Sequence, residues 1–211
     1  MLLLAFDTAT PAITVAVHDG TRVIAEASGE GAMAHGELLA PAIGKALAEA
    51  GATMSDLTDV AVGVGPGPFT GLRVGVVTAL TLGSTLGLST HGVCSLDIVA
   101  HDVEGDSPFL VAIDARRKEV YWARYAADGR RLEGPHVSRP ADVADLHPGL
   151  AVHGRGGMLY GDVLSTTGVG RDPRAAALAE AVVDGSVELL PLEPLYLRRP
   201  DATPQVATKT A

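Results

Sequence analysis

The sequence predicts an α/β protein built as two successive lobes, on three observations. Short apolar runs that suit buried strands alternate with helical stretches along most of the chain, separated by Gly, Pro and Asp turns. One order of elements occurs twice: three meandering strands, an acid closing the first of them, then helices alternating with strands. The chain has 211 residues and is 47% apolar, enough for two lobes of about 100 residues with a real core. The repeat is one of element order; no repeated sequence accompanies it.

In the first half, Leu2–Phe6 is an apolar strand running into Asp7-Thr8-Ala9-Thr10. Pro11-Ala12 turns the chain, and Ile13–His18 is a second strand. Asp19-Gly20 is a hairpin signal that returns Thr21–Ser28 as a third. Residues 29–36 are small and polar and read as a loop. Glu37–Ala50 reads as a helix with Leu38, Leu39, Ile43 and Leu47 on one face and Gly51 as its C-cap. Gly36, Ala40, Gly44 and Ala48 form a stripe of small residues on it, and Pro41 fits only near its first turn. Asp59–Val64 is a short buried strand. Gly65-Pro66-Gly67-Pro68 excludes helix and central strand, because Pro lacks the N–H and Gly loses backbone entropy. Thr70 is placed to cap the helix Thr70–Gly87. There Gly71, Gly75, Ala79, Gly83 and Gly87 recur every fourth residue and stand one above another. Interior glycines cost ~1 kcal/mol each relative to Ala, so the stripe is expected to let another backbone come close. Ser89–Val93 is a further strand, and Ser95–His101 a short helix with Ser95 as N-cap.

Asp102–Ser107 is acidic and turn-like, which places the lobe boundary there: residues 1–104, then 105–200. Phe109–Ile113 restarts the pattern as an apolar strand ending in Asp114. Glu119–Ala126 comes next, then an Asp128-Gly129 turn, then Arg130–Ser138. Ala141–Leu146 is a short helix. Leu150–His153 is a strand running into Gly154-Arg155-Gly156-Gly157, with Met158–Leu164 helical after it. Pro173–Val183 is an Ala-rich helix stopped by Gly185, residues 191–200 are extended, and 201–211 read as a disordered tail. The duplicated order is that of two tandem ribonuclease-H-like lobes, the architecture of actin-like ATPases and sugar kinases (the ASKHA class).

The formal charge is −9, from 16 cations and 25 anions. That argues against a stand-alone nucleic-acid binder, which carries a basic face, but not against work beside a partner that holds nucleic acid. The single Cys94 excludes an internal disulfide and fits a reducing compartment. The start MLLLAFDTAT lacks the basic region of a signal peptide. Val74–Thr90 is uncharged but falls short of the ~20 residues a membrane span needs. A cytoplasmic protein without a membrane anchor is expected.

Candidate chemistry centres on the two strand-ending acids. In actin-like ATPases such an acid is followed two residues later by glycine, which lets backbone N–H groups approach phosphates. Here Ala9 and Arg116 occupy those positions. Asp7, Thr8, Thr10 and Asp114 are therefore weak nucleotide candidates, against the reading that both hairpins are degenerate and the acids only cap turns. GPGPFTG precedes a helix N-terminus as a phosphate cradle does, but no Lys-Ser/Thr stands in register after it. It reads as a stiff corner, with ligand or partner contact at Phe69 and Arg73 as the alternative; Gly154–Gly157 carries the same ambiguity. The seven histidines match no metal-ligand spacing, so no metal is expected. Cys94 reads as a small buried residue, Ser95 lacks the context of a nucleophile, and no catalytic residue is assigned. Against the alternative that both only pack inside the first lobe, the two small-striped helices are read as a close-packed interface with another chain. Its expected residues are Leu39, Ile43, Gly44, Leu47, Phe69, Gly71, Leu72, Arg73, Gly75, Val76, Ala79, Leu80 and Gly83.

FDTATPAITVAV, HGELLAPAIGKAL, GVGPGPFTGLRVGV, IDARRKEVYWARY and PLYLR, in that order over nearly the whole chain, resemble the bacterial TsaB family, also called YeaZ. The pairing of GPG-x-FTGLR-x-G with DARR-x-EVY is specific. Pro68 departs from the family's usual serine. The resemblance implies a tandem actin-like fold, catalytically degenerate and related to TsaD. TsaD is the subunit that installs N6-threonylcarbamoyl on the adenosine beside the anticodon. TsaD carries an HxxxH metal motif, whereas the corresponding Val93-Cys94-Ser95-Leu96-Asp97 has no histidine. The resemblance further implies a non-catalytic scaffold that pairs with TsaD through its N-lobe helices, with the ATPase TsaE joining the pair. ATP and metal would sit on the partners and tRNA would be held by the complex. Apart from the resemblance, the same two helices could form a homodimer, which is expected when the partner is absent. The rival readings are a metallo-endopeptidase-like enzyme and an ATP-dependent small-molecule kinase of the same fold. The missing metal constellation counts against the first, the altered hairpins against the second.

Overall fold

β1 (Leu3–Asp7) lies at the centre of a five-stranded sheet in a computed structural model that describes residues 1–30, 35–168 and 171–198. β2 (Ala12–His18) and β3 (Val23–Glu30) extend it antiparallel on one side; β4 (Asp59–Gly65) and β5 (Ser89–Cys94) extend it parallel on the other. The resulting order β3-β2-β1-β4-β5 is the ribonuclease-H-like one. All five residues of β1 are buried, which explains its unbroken apolar run: both faces of the sheet are covered. Alternate side chains go to opposite faces. Leu4 and Phe6 meet α1 (His35–Glu49) and α2 (Phe69–Leu86) through Leu39, Ile43, Leu47, Val76 and Ala79. Leu3 and Ala5 meet α3 (Ser95–His101) and α6 (Ala175–Asp184) through Ile98, Ala177 and Leu178.

The second sheet has the order β8-β7-β6-β9, from β6 (Phe109–Asp114), β7 (Val120–Tyr125), β8 (Arg131–Ser138) and the two-residue β9 (Val152–His153). α4 (Pro140–Leu146) covers one face with Trp122 and Val143 in the core; α3 covers the other through Leu96 and Val99. α3 thus packs on both sheets. α6 belongs to the second half by sequence, yet it lies on the first sheet. Its buried alanines, Ala175, Ala176, Ala177, Ala179 and Ala181, let it approach β1 and β2 closely. Polar contacts also join the halves. The Tyr125 hydroxyl donates to Asp97 Oδ1 at 2.8 Å, and Arg131 reaches Asp97 Oδ2 at 3.3 Å and Glu188 Oε2 at 2.7 Å.

Several element ends differ from expectation. α2 begins at Phe69 with Pro68 as its cap residue, so Thr70 is inside the helix and caps nothing. Ser95 is the first residue of α3 and not its cap, because its hydroxyl is committed elsewhere. α5 (Arg155–Leu159) starts within the glycine run, earlier than the expected Met158–Leu164. Gly156 lies so close to β6 that a Cβ would stand 2.9 Å from the Ala112 carbonyl, which fixes that corner against the strand. Gly87 ends α2 in the left-handed conformation, φ 69°. A 3₁₀ turn, Met54–Asp56, has no counterpart among the expected elements. The expected tail, 201–211, lies outside the described residues.

Candidate functional site

Two places gather the residues singled out by sequence: the tip of β1, and the outer face of α1 and α2. At the first, Asp7 is 1% exposed. Its Oδ2 accepts the Ser95 hydroxyl at 2.6 Å and its Oδ1 accepts the Ala9 N–H at 2.7 Å. Ser95 Oγ in turn accepts the Gly65 N–H at 3.2 Å. The carboxylate occupies the space a side chain on β4 would need: a Cβ on Gly63 would lie 1.7 Å from Asp7 Oδ2. Burial is the dominant cause that pushes the Asp7 carboxyl up to about 6, against the two hydrogen bonds that favour its ionised form.

The rest of the hairpin is equally filled. The Thr8 hydroxyl donates to the Gly71 carbonyl at 2.8 Å, and His35 Nε2 donates to the Thr10 carbonyl at 2.8 Å. The GPGPF corner folds onto the hairpin, where a Cβ on Gly67 would stand 2.4 Å from the Ala9 carbonyl oxygen. Thr8 and Thr10 are buried, and the Thr10 hydroxyl finds no hydrogen-bond partner among the described residues. The glycines of GPGPF therefore serve approach between two segments of this chain. At the second acid, Asp114 Oδ1 accepts the Arg116 N–H at 2.9 Å, with the Arg116 guanidinium 3.7 Å from Oδ2. Both acids close the turn two residues ahead, as local side-chain capping predicts.

The helix pair divides differently from the sequence reading. Leu39, Ile43, Leu47, Leu72, Val76 and Ala79 are buried in the chain's own core. The α2 stripe faces inward as well. A Cβ on Gly71 would stand 2.3 Å from the Thr8 carbonyl, on Gly75 2.5 Å from Thr8 Oγ1, and on Gly83 2.4 Å from Thr90 Cγ2. These nine residues are thus corrected from partner contacts to internal packing. The stripe does admit close neighbours, but they belong to this chain: the Thr8 backbone just after β1, and the side chains of Thr8, of Val62 on β4 and of Thr90 on β5. Gly44, Phe69, Arg73 and Leu80 remain at the surface. Val77, 57% exposed, belongs with them and escapes the sequence reading, because apolar spacing marks no outside for a helix this uniformly apolar. The α1 stripe faces outward: Gly36, Ala40, Gly44 and Ala48 are exposed, and nothing lies within 4 Å of a Cβ on Gly36 or Gly44.

Phe69–Leu86 is long and apolar enough to cross a membrane by length and composition. Its small-residue face, however, is filled by the sheet beneath it. At its N-terminal end, Phe69 stacks on Tyr196 with centroids 5.0 Å apart. Arg73 lies 3.6 Å over the Phe69 ring and donates from Nε to the Tyr196 hydroxyl at 3.0 Å. Together they hold the segment 191–198, which also bonds β4 through Leu195 N–H and the Val64 carbonyl at 2.8 Å.

No group of three or more His, Cys, Asp or Glu side chains that could hold a metal occurs among the described residues. Cys94 is fully buried and its thiol is pushed up to about 12, chiefly by desolvation and then by Asp97, so it is unreactive. A cavity of about 500 Å³ lies between α3, α6 and the β9–α5 corner. Its arginines, Arg171 and Arg174, already pair with Asp102 at 3.7 and 3.1 Å.

A family model described as "TsaD: tRNA N6-adenosine threonylcarbamoyltransferase" matches residues 28–184. An uncharacterized protein of Mycobacterium tuberculosis (strain ATCC 25618 / H37Rv) is 48% identical over 209 residues, covering 96% of this chain and 94% of the relative. The tRNA threonylcarbamoyladenosine biosynthesis protein TsaB of Escherichia coli (strain K12) is 38% identical over 140 residues, covering 61% of this chain and 56% of that protein. The solved structure of YeaZ from Pseudomonas aeruginosa superposes with a TM-score of 0.74 at 31% identity, covering 93% of this chain and 99% of that one.

Proposed function

This chain belongs to the TsaB (YeaZ) family, and on that premise we propose that it is a non-catalytic scaffold and activator in the synthesis of N6-threonylcarbamoyladenosine in tRNA. In this reading it pairs with TsaD, TsaE joins the pair, and the transfer itself occurs on TsaD. ATP and metal belong to those partners, tRNA is held by the assembly, and the setting is the cytoplasm.

The observation that carries the non-catalytic part is the filled hairpin at β1. Asp7 spends both carboxylate oxygens on Ser95 and Ala9, and the GPGPF corner occupies the approach that phosphates would need. The observation behind the pairing is the outer face of α1 and α2, which lie side by side on one sheet face. Gly36, Ala40, Gly44 and Ala48 on α1, with Val77, Leu80, Thr81 and Ser84 on α2, form a smooth, largely uncharged surface. Glycines with open space above them let a partner helix come close, and uncharged side chains cost little to desolvate. The same face would support a homodimer when TsaD is absent.

The deciding experiment is reconstitution of threonylcarbamoyl transfer to tRNA. TsaD, TsaE, ATP and threonylcarbamoyl-adenylate are supplied with and without this chain. Transfer that requires the chain, while the chain alone transfers nothing and hydrolyses no ATP, is the expected result. Transfer indifferent to the chain rejects the scaffold reading.

A further inference from the structure

The cavity of about 500 Å³ between α3, α6 and the β9–α5 corner lies where the two halves of the chain meet. Its size and its place between packed units are those of small-molecule sites. From the second half, His153 and Thr167 line it, with Thr167 Oγ1 3.4 Å from His153 Nδ1. Five charged side chains line it as well: Arg171, Arg174, Asp102, Glu104 and Glu180.

One carboxylate serves both cations, and unequally. Arg174 Nη1 holds Asp102 at 3.2 Å from Oδ1 and 3.1 Å from Oδ2. Arg171 Nη1 stands 3.7 Å from Oδ2, too far for a hydrogen bond, and its guanidinium makes none among the described residues. Glu104 and Glu180 form no ion pair and no side-chain hydrogen bond among the described residues either. Burial, and then the Arg171 charge, push His153 below its usual value, so its ring adds no positive charge at neutral pH. The charges left over around this cavity are one guanidinium and two carboxylates. A simple anion would meet the two carboxylates, and a simple cation would meet the guanidinium. A ligand carrying both signs finds a partner for each, and that complementarity fixes its orientation.

We propose that this cavity binds a small zwitterion of the α-amino-acid class, its carboxylate on Arg171 and its ammonium on the Glu104 and Glu180 carboxylates. A planar guanidinium takes a carboxylate through two parallel N–H bonds, and an ammonium brings three donors to carboxylate oxygens. The Arg174–Asp102 pair keeps the second guanidinium committed and leaves Arg171 to the ligand. The inference does not depend on the scaffold reading: it gives the chain a small-molecule site of its own. The cavity uses no residue of α1 or α2, so a bound amino acid and a protein partner on those helices share no contact residue.

The test uses the full chain. Calorimetric titration measures its affinity for L-threonine, L-glutamate and L-leucine. Sodium acetate and methylammonium chloride serve as carriers of one charge each, and AMP as a nucleotide. Two variants, Arg171→Gln and the double Glu104→Gln with Glu180→Gln, remove the two halves of the recognition at exposed side chains, and circular dichroism checks their folding. Expected are binding of at least one amino acid in the micromolar to millimolar range, binding about tenfold weaker in each variant, and none of acetate or methylammonium. In nuclear magnetic resonance of the wild-type chain, the amide signals of Gly154 and Thr167 should move as the amino acid is added, a result that decides the matter even if a variant fails to fold. Absence of binding for all three amino acids overturns the proposal. So does binding that both variants leave unchanged, that moves neither amide, or that acetate or methylammonium matches. AMP binding without amino-acid binding overturns it as well and returns the cavity to nucleotides. The transfer assay above decides the scaffold reading separately.

Discussion

Asp7 is the residue on which the filled hairpin turns, and its protonation is measurable. Its ordinary value is 3.8 and burial lifts it to about 6 in the fold. A carboxyl whose folded value is raised binds its proton more tightly folded than unfolded. Its contribution to stability is therefore fully present below pH 3.8 and is lost as pH rises through 6. The shift corresponds to about 3 kcal/mol between those limits. Asp7→Asn keeps the shape and removes the titration. Unfolding by urea from pH 4 to pH 7.5 should show the variant gaining on the wild type by up to about 3 kcal/mol as pH rises. A difference that stays flat over that window means Asp7 does not hold a raised value. The sequence places Asp7 at a strand tip, where an acid caps a turn, and it does so toward Ala9. Ser95 is beyond such a reading, because a bond between residues 88 apart leaves no local signature.

The helices show how far a spacing pattern reaches. The four-residue stripe on α2 announces a close approach, and close contact exists, but with the chain's own hairpin after β1 and side chains of its own sheet. Spacing fixes which residues share a face and is silent on what that face meets. Only the second pattern, on α1, is open. The strands are legible in the sequence because apolar runs between turn residues leave little choice of register. The glycine corner before α5 is not, because the reason for its glycines, the Ala112 backbone, lies far off in sequence. The two stripes predict opposite mutants. Gly75→Leu drives a side chain into Thr8 and should destabilise the isolated chain by about 1–3 kcal/mol or more. Gly44→Leu meets no atom within 4 Å and replaces a poor helix former with a good one, so it should stabilise by up to ~1 kcal/mol. The same substitution should abolish pairing with TsaD, read by calorimetric titration. Pairing that survives Gly44→Leu moves the interface off α1.

At the scale of the whole molecule, the duplicated element order suggests two lobes, and contacts that cross between the halves predict that they unfold together. α3 packs on both sheets, α6 returns from the second half to the first sheet, and 191–198 ties the corner before α2 to the β6–β7 turn through Tyr196 and Arg198. The buried pivot of this arrangement is Asp97. Desolvation raises its carboxyl, and the Arg131 guanidinium and the Tyr125 hydroxyl offset that cost. Tyr125→Phe removes the hydroxyl and leaves one oxygen of a buried carboxylate less well satisfied, a loss of about 1–3 kcal/mol. Since Asp97 belongs to a helix both sheets share, the loss should lower one transition for the entire chain. Trp122, the single tryptophan, lies in the second sheet and reports on it alone, whereas far-ultraviolet circular dichroism reports on both. In the Tyr125→Phe variant the two signals should still coincide, at a denaturant midpoint below that of the wild type. Separation of the fluorescence transition from the dichroism would mean that the sheets unfold independently once this one bond is gone. The coupling would then rest on Asp97 and Tyr125 alone, and the shared helices would not be enough to make the two halves one body.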